Sequence, residues 1–426
     1  MTTNRPAHAA DAASTNAGGG LLRTLGFGMY LASSWTWCIG MFLPLLLLRD
    51  YGIASFVAFA IPNVAGAAAM GWVLRSREQA DGFVRAHRRA ARGFSIITIL
   101  FHVFFVAWLV KSTTWAAPML ETPTLAAGLG VGVAAALLLL GWLVSRVPMG
   151  WVLVLAVLAW VGSLVLGLSL PRPSTEFLNA HAATQPGLLF LAPVMAFGFA
   201  LCPYLDLTFL RARRSLEARQ SRVAFTIGFG VFFAVMIALT LHYSELILGA
   251  TFGAFPLALA AHMVLQAVFT VGVHLRELMR SDDATAAGDA VGASRRGAAG
   301  RAAKFVVAAL GLGVASVLAP PQDLRSVVWP PTLMPSCENV YRVFMSFYAL
   351  VFPAYVLLVV LARPAGAGWT TPPSRALVVR WLIVTALASP FFALGVFARA
   401  EGWYVPGLVV LALAFAWTRR GLAARG

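Results

Sequence analysis

The chain has 426 residues, 60% of them hydrophobic and only 11% charged, with a mean hydropathy of +0.81. A water-soluble domain of this length needs a polar surface that such a composition cannot supply, so the soluble globular classes are excluded. The formal net charge of +16 does not point to nucleic acid, because no basic helix or aromatic platform stands outside the apolar blocks.

The first residues are rich in Ala, Gly, Thr and Asn, and residues 1–23 are expected to form a disordered cytoplasmic tail. They lack the charged start and early apolar core of a removable signal peptide. Twelve apolar segments follow, at about 25–48, 52–74, 94–110, 125–144, 149–170, 187–210, 223–248, 252–275, 304–320, 340–362, 376–398 and 402–418. Stretches near 20 residues cross roughly 30 Å of hydrocarbon as helix. In lipid every backbone polar group must be paired within the protein, so these segments read as helices. The fold class is therefore an all-α polytopic membrane protein with about twelve transmembrane helices. Residues 24–362 make a ten-helix core and 376–418 add two more helices.

Lys and Arg decide the orientation. With both termini cytoplasmic, the inner regions hold 26 basic residues and the outer regions 6. Trp115, Trp329, Trp369, Trp403 and Tyr404 fall where amphipathic rings settle at headgroup depth. Residues 281–303 read as a flexible cytoplasmic linker, and the proline-rich stretch 320–338 as a stiffer outer loop able to cover an entrance. A turn near Gly249 joins segments 7 and 8 tightly. Cys38, Cys202 and Cys337 form no metal-ligand spacing, so no metal site is expected.

Two segments are interrupted. Segment 1 contains "LASSWTWCIGMFLPLLLL", with Ser33, Ser34, Thr36, Cys38, Gly40 and Pro44. Segment 6 contains "FGFALCPYLDLTFLRARR", in which Pro203 removes a donor and frees the Phe199 carbonyl, predicting a kink over 199–203. Interrupted helices at corresponding places in two inverted halves point to a midplane site. On "SSWTWCIG" and "FGFALCPYLDLTF" the chain resembles the leucine-transporter fold of amino-acid, nucleobase and sodium:solute symporters. That resemblance implies two inverted five-helix repeats, 24–170 and 187–362, with helices 1 and 6 discontinuous. It also implies a small-molecule solute moved across the bilayer by alternating access, with no cofactor beyond a coupling ion. Segment 8 lacks a Ser-Thr pair for sodium although Thr270 is available, so Na+ and H+ both stay open.

Ser33, Ser34, Thr36 and Trp37, with Cys202 and Tyr204, are the candidate substrate-binding residues. Small polar residues in such helices also serve helix packing. Asp206, His262, His242 and Glu245 are the candidates for ion or proton coupling, with His242 and Glu245, three apart near the outer end of segment 7, as a proton-exchange pair. Asp206 has a plainer reading as a helix cap or as a partner of Arg211 or Arg213. His262 and His102 have one as buried imidazoles bonded to a carbonyl, Glu245 as an interfacial carboxylate, and His274 with Glu277 as an interfacial polar face. Gly128 and Gly132 give a GxxxG packing spacing in segment 4, and Asn63 an interhelical hydrogen bond.

The competing readings are a major-facilitator architecture, a membrane enzyme acting on a lipid-linked substrate, and a non-transporting integral protein. The first lacks its Gly-Asp-Arg-Gly signature in "REQADGFVRAHRRAARG", and the second lacks paired carboxylates or HExxH. Abundant Arg and Ala with only two Lys suggest a bacterial cytoplasmic membrane. Oligomeric state leaves no trace in the sequence.

Overall fold

The computed structural model describes residues 8–112, 114–248, 256–286, 291–318, 323–325, 333–363 and 367–423. Among these, eleven helices are long and apolar enough to cross a membrane, and a bent pair makes a twelfth span. The chain is a polytopic all-α membrane protein.

Span 1 is the bent pair, Gly20–Trp35 and Cys38–Tyr51, whose axes differ by 56°. Spans 2 to 5 are Ala54–Val73, Arg77–Lys111, Pro123–Arg146 and Met149–Leu168. Span 6 is broken into a helix Leu188–Leu201, a tight turn Cys202–Leu205 and a second helix Leu207–Ser215. Spans 7 to 12 are Ala218–His242, Leu257–Arg280, Arg301–Leu318, Cys337–Leu361, Arg375–Phe397 and Glu401–Leu422.

Contacts between span ends gather those ends at two opposite ends of the bundle. At the arginine-rich end, Arg213 donates to the Leu74 carbonyl (2.5 Å), Arg77 pairs with Glu217 (2.8 Å), and Arg92 reaches the Leu278 carbonyl (3.1 Å). Arg276 donates there to the carbonyls of Ser145 and Val147, which the end of span 4 leaves free. At the opposite end Asp50 meets Arg342 and Arg399, each at 3.0 Å.

Several boundaries differ from expectation. Span 3 begins at Arg77, not 94, because Ser76 caps it by accepting from the Gln79 amide (3.1 Å), and the basic stretch continues as helix to a kink at His87. Span 8 ends at Arg280, about one turn beyond the expected 275. Helix reaches back to His8 into the Ala-rich stretch read as a tail, and covers 281–286 and 291–303 of the expected linker, where Ala is again frequent. Residues 287–290, the turn near Gly249, Trp329 and most of 320–332 lie outside the described residues. Trp403 is exposed, whereas Tyr404 is buried against Phe392 and Trp369 packs on Phe83 and Tyr204.

Span 1 packs on spans 5, 7 and 8, and span 2 on spans 6 and 7. Spans 3 and 4 pack on each other and on spans 8 and 9, while the broken span 6 touches spans 3 and 10. Spans 11 and 12 pair with each other beside span 10. Gly66 of span 2 shows how close the backbones come: a Cβ there would stand 2.4 Å from the Phe199 carbonyl. That is the carbonyl Pro203 leaves without its helical donor. Glycine is required by this approach, not by a turn.

Candidate functional site

The two helix breaks face each other in the middle of the bundle. In span 1 the first helix stops at Trp35, and Trp37, extended at φ −83° and ψ 179°, opens the second. The hydroxyls near the stop consume carbonyls of their own turn: Thr36 donates to Ala32 (2.8 Å) and Ser34 to Leu31 (3.1 Å). Ser33 donates instead to Ala156 of span 5 (3.3 Å), and its carbonyl accepts from Thr270 of span 8 (3.2 Å). Trp37 closes the turn through its indole N–H on the Ser34 carbonyl. Trp35 is pinned to Asn63 of span 2 (2.6 Å), the interhelical bond expected for that asparagine.

In span 6 Asp206 is the cap of the second half-helix. Its Oδ1 accepts from both the Thr208 amide and the Thr208 hydroxyl, each at 2.7 Å. The Thr208 hydroxyl lies 3.2 Å from Ser34 Oγ, which joins the two breaks directly. The arginines below do not pair with Asp206: Arg211 binds Glu277 and Arg213 binds backbone carbonyls. The capping alternative therefore accounts for Oδ1 and leaves Oδ2. That oxygen is fully buried without a hydrogen-bond partner among the described residues, 3.9 Å from His274 Nε2, which is equally without one. Leaving one buried polar atom unpaired costs about 1–3 kcal/mol, so two facing each other are not a packing accident to be expected.

His274 is the residue that sequence reasoning put in the wrong place. It is fully buried, with Nδ1 held 3.0 Å from Ser95 Oγ of span 3 and its ring edge against Trp37. Glu277 is buried as well. Both are expected on an interfacial face because segment 8 reads as ending at 275. Arg276 instead folds inward onto the span 4 carbonyls, and the helix continues for another turn. Tyr348 of span 10 was also missed. Its hydroxyl meets Thr98 (2.9 Å), its carbonyl accepts from Cys202 Sγ (3.2 Å), and its ring packs on Trp37.

The other candidates divide. Ser33, Ser34, Thr36, Trp37, Cys202 and Asp206 are all buried around the twin break. Tyr204 points away from it and packs on Trp369 at the arginine-rich end. His262 is buried in span 8 with its ring near Tyr243, two turns beyond Thr270 and apart from Asp206. His242 and Glu245 sit together at the opposite end, but each is tied down separately. His242 Nε2 lies 2.9 Å from the Leu170 carbonyl, and Glu245 accepts from the Ser174 amide and hydroxyl at 2.5 and 2.9 Å. They do not form the proton-exchange pair their spacing suggested. His102 accords with its plain reading, with Nδ1 2.7 Å from the Thr98 carbonyl. No group of three or more His, Cys, Asp or Glu among the described residues is placed to hold a metal ion.

Two cavities adjoin the breaks. A small one, about 10 Å³, lies between Trp35, Trp37, Asn63 and Cys202. A larger one, about 90 Å³, runs from Tyr348 and Phe199 to Asp50 and Arg342 at the opposite end, with walls mainly of Leu, Met, Val and Tyr. Tyr348 and Phe199 line both and stand between them. On the other side of Asp206 the arginine-rich end is closed by Arg211–Glu277 (2.8 Å) and by Arg214–Asp81.

No protein-family model and no curated protein sequence matches the chain. Among solved structures, a manganese transporter of Eremococcus coleocola, crystallised with an aromatic bis-isothiourea substituted compound, is similar over 99% of this chain and 98% of its own. The identity is 13% and the TM-score 0.36, a likeness too slight to carry an argument about site or cargo.

Proposed function

We propose that the protein is a secondary active transporter, symporter-like, moving a small organic solute or ion across a bacterial cytoplasmic membrane by alternating access. One observation carries this reading: the broken ends of spans 1 and 6 meet in the bundle interior through Ser34, Thr208 and Asp206. Irregular backbone and a carboxylate at membrane depth are costly, and they are retained where something polar must bind or pass. The route is one-sided, with an apolar vestibule at one end and ion pairs closing the other.

The packing supports an inverted five-plus-five repeat over 24–170 and 187–362. Adding five to the span numbers maps the contacts of 1 with 7 onto 6 with 2, of 3 with 9 onto 8 with 4, and of 1 with 5 onto 6 with 10. It also maps 3 with 6 onto 8 with 1. In this reading the arginine-rich end is cytoplasmic, as the distribution of basic residues requires. Both termini then lie inside.

The test is uptake into proteoliposomes of pooled amino acids, nucleobases, sugars and metal ions under imposed proton or sodium gradients, with Asp206→Asn alongside. Gradient-driven uptake that the folded variant loses supports the reading. No uptake under either gradient overturns it.

A further inference from the structure

We infer that Asp206 and His274 form a single buried proton site, so that the coupling ion is a proton taken up between span 6 and span 8; the inference rests on the transporter reading above for its purpose, but not for its test. Asp206 Oδ2 and His274 Nε2 face each other at 3.9 Å, both fully buried, and neither has another partner among the described residues. The gap exceeds a hydrogen bond by less than 1 Å at the usual limit of about 3.2 Å, so a small side-chain rotation closes it. Every other polar atom of the two side chains is engaged: Oδ1 by the amide and hydroxyl of Thr208, Nδ1 by Ser95.

The donor set favours a proton over a metal cation. Hard cations such as sodium take several oxygens, whereas the group facing Oδ2 is an imidazole nitrogen. Oδ1 is met by two hydrogens, from the Thr208 N–H and O–H, and neither of those groups turns a lone pair toward the carboxylate. A proton from water entering the site binds between Nε2 and Oδ2, and the pair passes from one negative charge to none. No other atom is transferred.

The surroundings hold that charge change locally. Tyr30 faces the site from span 1, its hydroxyl buried and unpartnered among the described residues, and His102 faces His274 from span 3. Glu277 and Arg211 neutralise each other one turn away, Arg276 is spent on backbone carbonyls, and Tyr348 is bonded to Thr98. His274 also lies edge-on to Trp37 at 6.0 Å, at the break of span 1. Loading the proton therefore acts on both broken helices at once.

The experiment is infrared difference spectroscopy of the full-length protein in lipid across a pH titration, with no solute added. A buried carboxyl C=O band should rise on acidification, vanish in Asp206→Asn, and move its midpoint by about one pH unit in His274→Gln, the mark of two interacting sites. Ser95→Ala, which removes only the hydroxyl at Nδ1, should move the midpoint too and keeps the test decisive if Asp206→Asn does not fold. Replacing choline by sodium should leave the midpoint in place. A band surviving in folded Asp206→Asn, a midpoint unmoved in both His274→Gln and Ser95→Ala, or one displaced by sodium overturns the inference. Each of those results leaves the transport reading to the uptake assay, which does not depend on the choice of ion.

Discussion

Arg211 and Glu277 meet through two parallel hydrogen bonds of 2.8 Å, one from Nε and one from Nη2, on the same two helices that carry Asp206 and His274. The fork geometry makes this a strong ion pair, and Glu277 is buried while Arg211 keeps 18% of its side chain exposed. The pair thus latches span 6 to span 8 at the arginine-rich end, directly below the proposed site.

Breaking one half of this latch should cost more than removing all of it. Glu277→Ala leaves a guanidinium partly buried without its partner, a loss of about 3 kcal/mol at the low end of buried pairs. Replacing both, as Arg211→Met with Glu277→Leu, should recover most of that. Thermal unfolding of the purified single and double variants measures it. Additive losses would mean that the two residues do not act as a pair.

A second expectation concerns glycine spacing. Gly128 and Gly132 carry the GxxxG pattern, yet a Cβ at either would meet nothing within 4 Å. Gly130, between them, would place a Cβ 2.6 Å from the Gly313 carbonyl and 2.7 Å from Val314 Cα. Backbone cannot yield as a side chain can. Gly130→Ala should therefore destabilise by about 1–3 kcal/mol, the range for overpacking, while the Ala variants at 128 and 132 stay within about 0.5 kcal/mol of wild type. Retained thermal stability in Gly130→Ala would show that spans 4 and 9 can separate freely.

The glycine case shows what kind of information the sequence holds. Twelve spans were legible because length and apolarity alone determine them, and the two breaks because Pro203, Asp206 and the cluster Ser33–Thr36 are conspicuous in apolar surroundings. Which face of a helix a residue occupies was not legible where hydrophobicity runs all round the helix. That is why Gly130 was overlooked and why Tyr348 passed for another apolar-segment aromatic. His274 was misread for a different reason. Segment 8 reads as ending at 275, whereas the helix runs on to Arg280 and the long Arg276 side chain folds back to feed unpaired carbonyls. His242 and Glu245 were proposed as a pair from spacing of three, and the structure spends each on a separate backbone group.

Among the described residues Arg399 is the one non-glycine with positive φ, at 54°, where it reaches Asp50 at 3.0 Å. Its side chain is one-third exposed, so the ion pair is worth at most about 1 kcal/mol. The left-handed backbone costs any L-residue about 1 kcal/mol and glycine almost nothing. Arg399→Gly should therefore be more stable than Arg399→Ala by about 1 kcal/mol and close to wild type. Equal melting temperatures for the two variants would contradict the strain argument.

Tyr348 is the partition between the vestibule and the breaks, and Cys202 reports on it. The Cys202 thiol is buried on the far side of the ring, hydrogen-bonded to the Tyr348 carbonyl. In a background with Cys38 and Cys337 replaced by Ser, a small charged thiol reagent should label Cys202 slowly. Tyr348→Ala removes the ring that lines both cavities and should speed labelling at least about tenfold, the equivalent of 1.4 kcal/mol in the opening equilibrium. Tyr348→Phe keeps the ring and loses only the bond to Thr98, so its labelling rate should stay near that of the background. If Tyr348→Ala labels no faster while its melting temperature shows a folded protein, the ring is not the barrier, and Phe199, the other residue shared by both cavities, becomes the partition to test. If Tyr348→Phe labels as fast as Tyr348→Ala, it is the hydroxyl bond to span 3, and not the bulk of the ring, that keeps the vestibule apart from the broken helices.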